Sequence, residues 1–263
     1  MSNLGLVPAS QPQSAETPTM QWRNREMLAV YRRLRDLCWE VLAAGDVVAP
    51  SRLLVAARVR PETAGGDRPR IPASGPVLVA ADGTSGVVES LAAAVLLRRV
   101  RPDVKVLASQ LIARRPNLEE FFIAYDRWQT RPAAPLNLRA AFAALDHFRS
   151  GGLLAVFPED ERPQPVGADG VAEHQCWVAA VRMALLAGAA IIPVSFTRSK
   201  AAVSVLPGDG GCAESAIEMR AGAPLDPRRL ASFSSVAEAG SYVRWRTTLL
   251  AGASSATGPA CPY

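Results

Sequence analysis

The feature that most constrains the fold of this 263-residue chain is a regular alternation of short apolar runs with longer helical patterns. The runs Leu53–Val59, Val77–Ala81, Val104–Ala108, Phe122–Tyr125, Leu153–Phe157 and Ile191–Phe196 have the length and apolar character of strands. Between several of them, Val88–Val100, Pro135–Arg149 and Trp177–Ala187 repeat apolar residues at helical spacing. A strand followed by a helix of ten or more residues returns the chain to its starting end, so the next strand pairs parallel to the first. The expected class is therefore α/β, with a mixed, mostly parallel sheet flanked by helices. Ala202–Leu206 and Ala216–Arg220 read as further strands and Val236–Leu250 as a closing helix, whereas Pro61–Ser74, with paired glycines and three prolines, reads as a loop.

With 49% hydrophobic residues the chain can bury one substantial core, which we place at residues 21–250. Residues 1–20 are rich in Ser, Pro, Gln and Thr and are expected to be disordered, and 251–263 to form a flexible tail. From Met20 to Ala44, apolar Met27, Val30, Tyr31, Leu34, Leu37, Cys38, Val41 and Leu42 recur at helical spacing among Arg23, Arg25, Arg32, Arg33 and Arg35. That pattern predicts a basic amphipathic helix, packed on the domain or lying on an anionic membrane. No stretch is long and apolar enough to span a bilayer, and the start has no secretory pattern. A cytoplasmic protein, peripheral at most on the inner face of the membrane, is expected.

Net charge is +5, and Lys105 and Lys200 are the only lysines among 29 basic residues. The planar guanidinium suits phosphate and carboxylate partners, but the arginines are interleaved with acids and lack an aromatic stacking pattern, which argues against nucleic acid. Cys38, Cys176, Cys212 and Cys261 are too scattered for a disulfide framework or a metal site.

Chemistry concentrates where the run VLVAA breaks at Asp82-Gly83-Thr84-Ser85-Gly86 and resumes as the alanine-rich segment containing Glu89. A strand-to-helix turn of this kind aims backbone N–H groups and the positive end of the helix dipole at the carboxyl end of the strand. Ser85, with Gly83 two residues before it, has the setting of a nucleophile elbow, although Val87 stands where the second glycine belongs. A phosphatase block would need an aspartate at Ala80, which excludes that reading. Only His147 and His174 could serve as a histidine base. His147 falls mid-helix beside Asp146 and reads as a surface residue. His174, in a loop ahead of a helix, is the better candidate. Arg114, Arg115, Arg127 and Arg131 make a basic patch suited either to solvent or to an anion such as a lipid phosphate, phosphopantetheine or coenzyme A. In the acidic run Glu159-Asp160-Glu161, a pocket role falls to Glu161.

Four segments in order resemble the phospholipid/glycerol acyltransferase family of PlsC type, in its haemolysin and ornithine-lipid branch: IPASGPVLVAADGTSGVVESL, RPDVKVLASQLIARRPNLEEFFIAYD, LRAAFAALDHFRSGGLLAVFPEDE and WVAAVRMALLAGAAIIPVSF. The resemblance implies a glycerol-3-phosphate acyltransferase-like fold and an acyl donor held as a thioester, acyl-CoA or acyl-carrier protein. It sets Gly83 at the family's catalytic histidine, Glu89 at its aspartate and Asp82 at the preceding asparagine. Phe157, Pro158 and Glu161 match the acceptor-binding block, where Asp160 replaces a glycine. The implied catalytic candidates are Glu89, Asp82, Ser85 and His174. Gly83, Thr84, Gly86, Arg114, Arg127 and Glu161 would bind substrate, with no metal. Three functions stay open: an atypical acyltransferase or related thioester-processing enzyme, a non-catalytic protein that binds acyl chains or lysophospholipids, or a partner subunit of a biosynthetic complex.

Overall fold

A computed structural model describes residues 32–64, 71–81, 87–115, 117–125, 133–157, 171–198 and 215–255. The first helix, α1, covers 32–43. It is followed by α2 (Pro50–Ala56), β1 (Val59–Thr63), β2 (Val77–Ala81), α3 (Val87–Arg98), β3 (Val104–Ser109), α4 (Gln110–Ala113), β4 (Phe122–Tyr125) and α5 (Ala133–Arg149). The second half comprises β5 (Leu153–Val156), α6 (Val171–Leu186), β6 (Ala190–Arg198), β7 (Ser215–Ala221), α7 (Pro227–Ala231) and α8 (Val236–Ser255). The expected strand Ala202–Leu206 lies outside the described residues, and Ala251–Ser255, expected in the tail, continue α8.

One seven-stranded sheet has the order β1-β7-β6-β2-β5-β3-β4. From β6 to β4 the neighbours are all parallel, while β7 runs antiparallel to β6 and carries β1 parallel beside it. The mixed, mostly parallel sheet flanked by helices is thus present. Its central strands are apolar on both sides, as strands covered on both faces must be: every residue of β2 and of β5 is buried. Val77, Val79 and Ala81 pack with α1, α2, α3 and α4 on one face. Leu78 and Ala80 pack with α5, α6, α7 and α8 on the other.

The run expected as the strand Leu53–Val59 is instead helix α2 followed by the start of β1. Pro50 occupies the first turn, where its fixed φ suits a helix and its missing N–H costs nothing. Leu53 and Leu54 are buried while Val55 is 70% exposed, a helical distribution rather than an alternating one. The helix closes at Ala57, and Arg58 turns the chain at φ 54. Pro61, expected in a loop, lies in β1. Among the described residues the strand has β7 on one side only, and an edge strand tolerates the missing donor.

Arg101 locks the amino end of the sheet. It is 3% exposed, and its guanidinium donates to the carbonyls of Pro72, Gly75 and Gly151 at 3.1, 2.8 and 2.6 Å. Gly75 and Gly151 hold φ 82 and 81 in the turns that lead into β2 and β5. One side chain therefore ties together the entrances of the two strands whose exits carry the candidate site.

Candidate functional site

The sheet order creates a switch point between β2 and β5. These neighbours pair with Ala80 opposite Val156, but their outgoing connections diverge. From β2 the chain crosses one face through α3 to reach β3, and from β5 it crosses the other face through α6 to reach β6. Between connections that part in this way a crevice opens outside the carboxyl ends of the strands, and ligands of open α/β sheets bind there. The chain enters Asp82–Gly86 directly from β2, and the segment containing Pro158 and Glu161 follows within a few residues of β5.

Glu89 is the candidate that the described residues place most firmly. It lies in the first turn of α3 and is 2% exposed. A carboxylate is favoured there by the orphan N–H groups and the positive end of the helix dipole. Its buried neighbour Ser90 was not singled out from sequence, and neither was Ser109 at the carboxyl end of β3. A small polar residue inside an apolar run, at the point where a strand or helix meets the crevice end, is the only local signal either one gives.

An aromatic pair roofs the same end. Phe157, just past β5, and Phe196, in β6, flank β2 from either side, and their ring centroids are 5.8 Å apart at an interplanar angle of 36°. Both rings pack against the cluster that contains Ala81 and Val87, so they cover the end of β2 on its α3 face. Sequence had pointed to Phe157, but Phe196 is brought in by sheet order alone.

Other candidates fare differently. Asp82, Gly83, Thr84, Ser85, Gly86, Arg127 and Glu161 lie outside the described residues, as does Arg131. His174, expected in a loop, belongs to the first turn of α6; its side chain is outside the described set. Because α6 leaves from the carboxyl end of β5, His174 stays at the crevice end, but on the helix layer opposite Glu89. Arg114 is exposed on the connection between α4 and β4. Burial pushes the thiol of Cys38 in α1 up, and the charge of Arg115 offsets part of that rise. His147 is not a free surface residue, since its half-buried ring places Nε2 3.0 Å from the Leu153 carbonyl oxygen. That carbonyl can only accept, so the ring donates from Nε2, at the amino end of the sheet and away from the crevice.

Among the described residues no group of three or more His, Cys, Asp or Glu could hold a metal ion. No helix among them is long and apolar enough to cross a membrane.

No protein-family model and no curated protein matches the chain. Among solved structures, the crystal structure of the 1-acyl-sn-glycerophosphate (LPA) acyltransferase PlsC from Thermotoga maritima is similar, with a TM-score of 0.51 and 16% identity over 90% of this chain and 85% of that one. At this identity the likeness is one of fold: the chain has a PlsC-like acyltransferase fold.

Proposed function

We propose that this protein is an acyltransferase-type enzyme with a non-standard active site, acting on an acyl group held as a thioester on coenzyme A or an acyl-carrier protein. The observation that carries the reading is the buried carboxylate of Glu89 in the first turn of α3, at the switch point of a PlsC-like sheet. The acceptor oxygen, of a lysolipid hydroxyl or of water, attacks the thioester carbonyl and surrenders its proton to Glu89. Asp82, Ser85 and His174 are the competing candidates for that proton. Backbone amides of the Gly83–Gly86 turn hold the oxyanion of the tetrahedral intermediate. The C–S bond then breaks, and the departing thiolate takes up a proton to leave as free thiol. Arg114 and Arg127 serve donor or acceptor phosphate, and Glu161 serves the acceptor.

The same reading places the protein in the cytoplasm, in peripheral contact with an anionic membrane. Support comes from the α1–α2 layer, which turns Trp39, Leu42, Val47 and Val55 outward, with Arg32, Arg33 and Arg35 on α1. Glycine at position 83, which cannot move a proton, favours a second reading: a non-catalytic acyl- or lysophospholipid-binding protein, or a partner subunit.

The test is release of free thiol from palmitoyl-CoA and palmitoyl-carrier protein, with lysophosphatidic acid or water as acceptor. The enzyme reading expects release above background with at least one pair. Glu89→Gln should lower it by about 10²- to 10⁴-fold, the range of a general base. Ser85→Ala and His174→Ala separate the rival bases. Absence of release with every pair, alongside measurable palmitoyl-CoA binding, selects the non-catalytic reading.

A further inference from the structure

We propose a second binding site, in the cleft between α5 and the β3–β4 edge of the sheet, for a small amphiphilic anion: one carboxylate or phosphate group on a short apolar body. The cleft has a volume of about 490 Å³, within the range of about 300–1,000 Å³ typical of small-molecule sites. It exists because β4 is an edge strand, paired with β3 and with no strand beyond it among the described residues, while α5 overhangs that edge.

Residue sizes keep the cleft open. Along its length α5 turns Arg139, Ala140, Ala143, Asp146 and His147 towards the strands, a single helical face whose middle is alanine, and Ser150 follows just past its end. Opposite the alanines lies Ile123, so the centre is apolar and shallow rather than filled; Phe122 and Ala124 border the cleft but pack with the other face of the sheet.

The charge is concentrated at the ends. Lys105 spends one of its donors on the Glu119 carbonyl at 3.3 Å and makes no ion pair with any described residue. Arg139 makes no ion pair with any described residue. Among the described lining residues the acid is Asp146, which pairs with Arg149 at 3.0 Å on the exposed rim. His147 is committed to the Leu153 carbonyl and acts as a wall. Each end thus offers one cation without a carboxylate partner among the described residues, and a head group held at one end lays its apolar tail along the centre.

The site is not the crevice: β5 and β3 separate β4 from β2, about 14 Å at the usual strand spacing. The inference therefore stands apart from the acyl-transfer reading.

Calorimetric titration of the full chain with sodium octanoate, octyl phosphate, 1-octanol and inorganic phosphate tests it. Saturable binding of octanoate or octyl phosphate is expected, with octanol and inorganic phosphate each at least about tenfold weaker. Whichever head group binds more tightly identifies the ligand class. Either Lys105→Gln or Arg139→Gln should weaken binding about threefold to thirtyfold, between an exposed ion pair and a charge-assisted hydrogen bond, and the sensitive variant marks the end that holds the head group; full binding in both variants overturns the proposal. Ala143→Leu should abolish it by filling the middle of the cleft; Ala143 is exposed, so an unchanged melting temperature shows that the variant folds. Glu89→Gln should leave binding intact. Equal binding of octanol, undiminished binding by Ala143→Leu, loss in Glu89→Gln, or no binding of either amphiphile at 5 mM (about the weakest affinity worth calling a site) overturns the proposal.

Discussion

Replacing Arg101 with methionine tests how far the candidate site depends on a clamp at the opposite end of the sheet. Methionine keeps most of the aliphatic stem, so the change removes the guanidinium without emptying the core. Three carbonyls, those of Pro72, Gly75 and Gly151, lose their donor. An orphaned buried acceptor costs about 1–3 kcal/mol. The low end applies because Asp103, on the same guanidinium, is 39% exposed and leaves a path for water. The carbonyls thus contribute about 3 kcal/mol, and the half-open pair with Asp103 adds at most about 1 kcal/mol. A loss of about 3–4 kcal/mol corresponds to a fall in Tm of about 6–16 °C for a chain of this size. Urea unfolding followed by circular dichroism measures it, with an unchanged m-value showing that the native state keeps its compactness. Arg101→Lys should recover little, because an ammonium on a single stem cannot span three carbonyls that a planar fork reaches together. A loss below about 1 kcal/mol for Arg101→Met, smaller than one orphaned carbonyl, would refute the clamp.

Three further outcomes follow from named contacts. Hydrogen bonds from Arg101 hold the Asp103 carboxyl below its ordinary value, against a smaller opposing effect of burial. A depressed carboxyl adds stability that is present above its unfolded-state pKa of about 4 and lost as pH falls through the folded value, so acid unfolding below about pH 4 should be steeper in wild type than in Asp103→Asn. A Cβ on Gly152 would overlap the His147 ring, so Gly152→Ala should cost about 1–3 kcal/mol through a displaced ring and a lost Leu153 bond. His147→Ala in the same chain should recover most of that, and additive costs in a double-mutant cycle would show that the two residues do not meet. Trp39→Ala with Val55→Ser should reduce co-sedimentation with anionic vesicles about tenfold while leaving Tm unchanged, since both side chains are largely exposed and contribute little to the core; equal sedimentation of variant and wild type would remove the α1–α2 layer from membrane contact.

The fold was legible wherever burial repeats with a local period. Val77–Ala81 and Phe122–Tyr125 read directly as β2 and β4, because a strand buried on both faces is a continuous apolar run bounded by turns. The same rule misled at Leu53–Val59: a short apolar run carries no period of its own, and the deciding signal was Pro50, a residue outside the run. His174 was misplaced for the converse reason. The first turn of α6, with Glu173, His174 and Gln175, has no apolar repeat, so the pattern became visible only from Trp177 onward.

The site was legible in part, and the boundary follows sequence separation. Glu89 and the turn before it stand out because strand, glycines and helix are contiguous. The insertion of β5 between β2 and β3 is a fact of long-range pairing, and no local window contains it. Yet this insertion makes the crevice: were β5 at the edge, β2 and β3 would be neighbours and the exits of β2 and β5 would not meet. It also sets Phe157 against Phe196, and it puts His174 at the same end as Glu89 but on the other helix layer. A base on α3 and a base on α6 would approach an acceptor from opposite sides of the sheet end. Glu89→Gln and His174→Ala should therefore differ in kind: loss of the true base lowers kcat, whereas loss of the residue on the far layer changes KM at most. If both variants lower kcat equally with KM fixed, the two residues act as one unit and the separation of layers does not divide their roles.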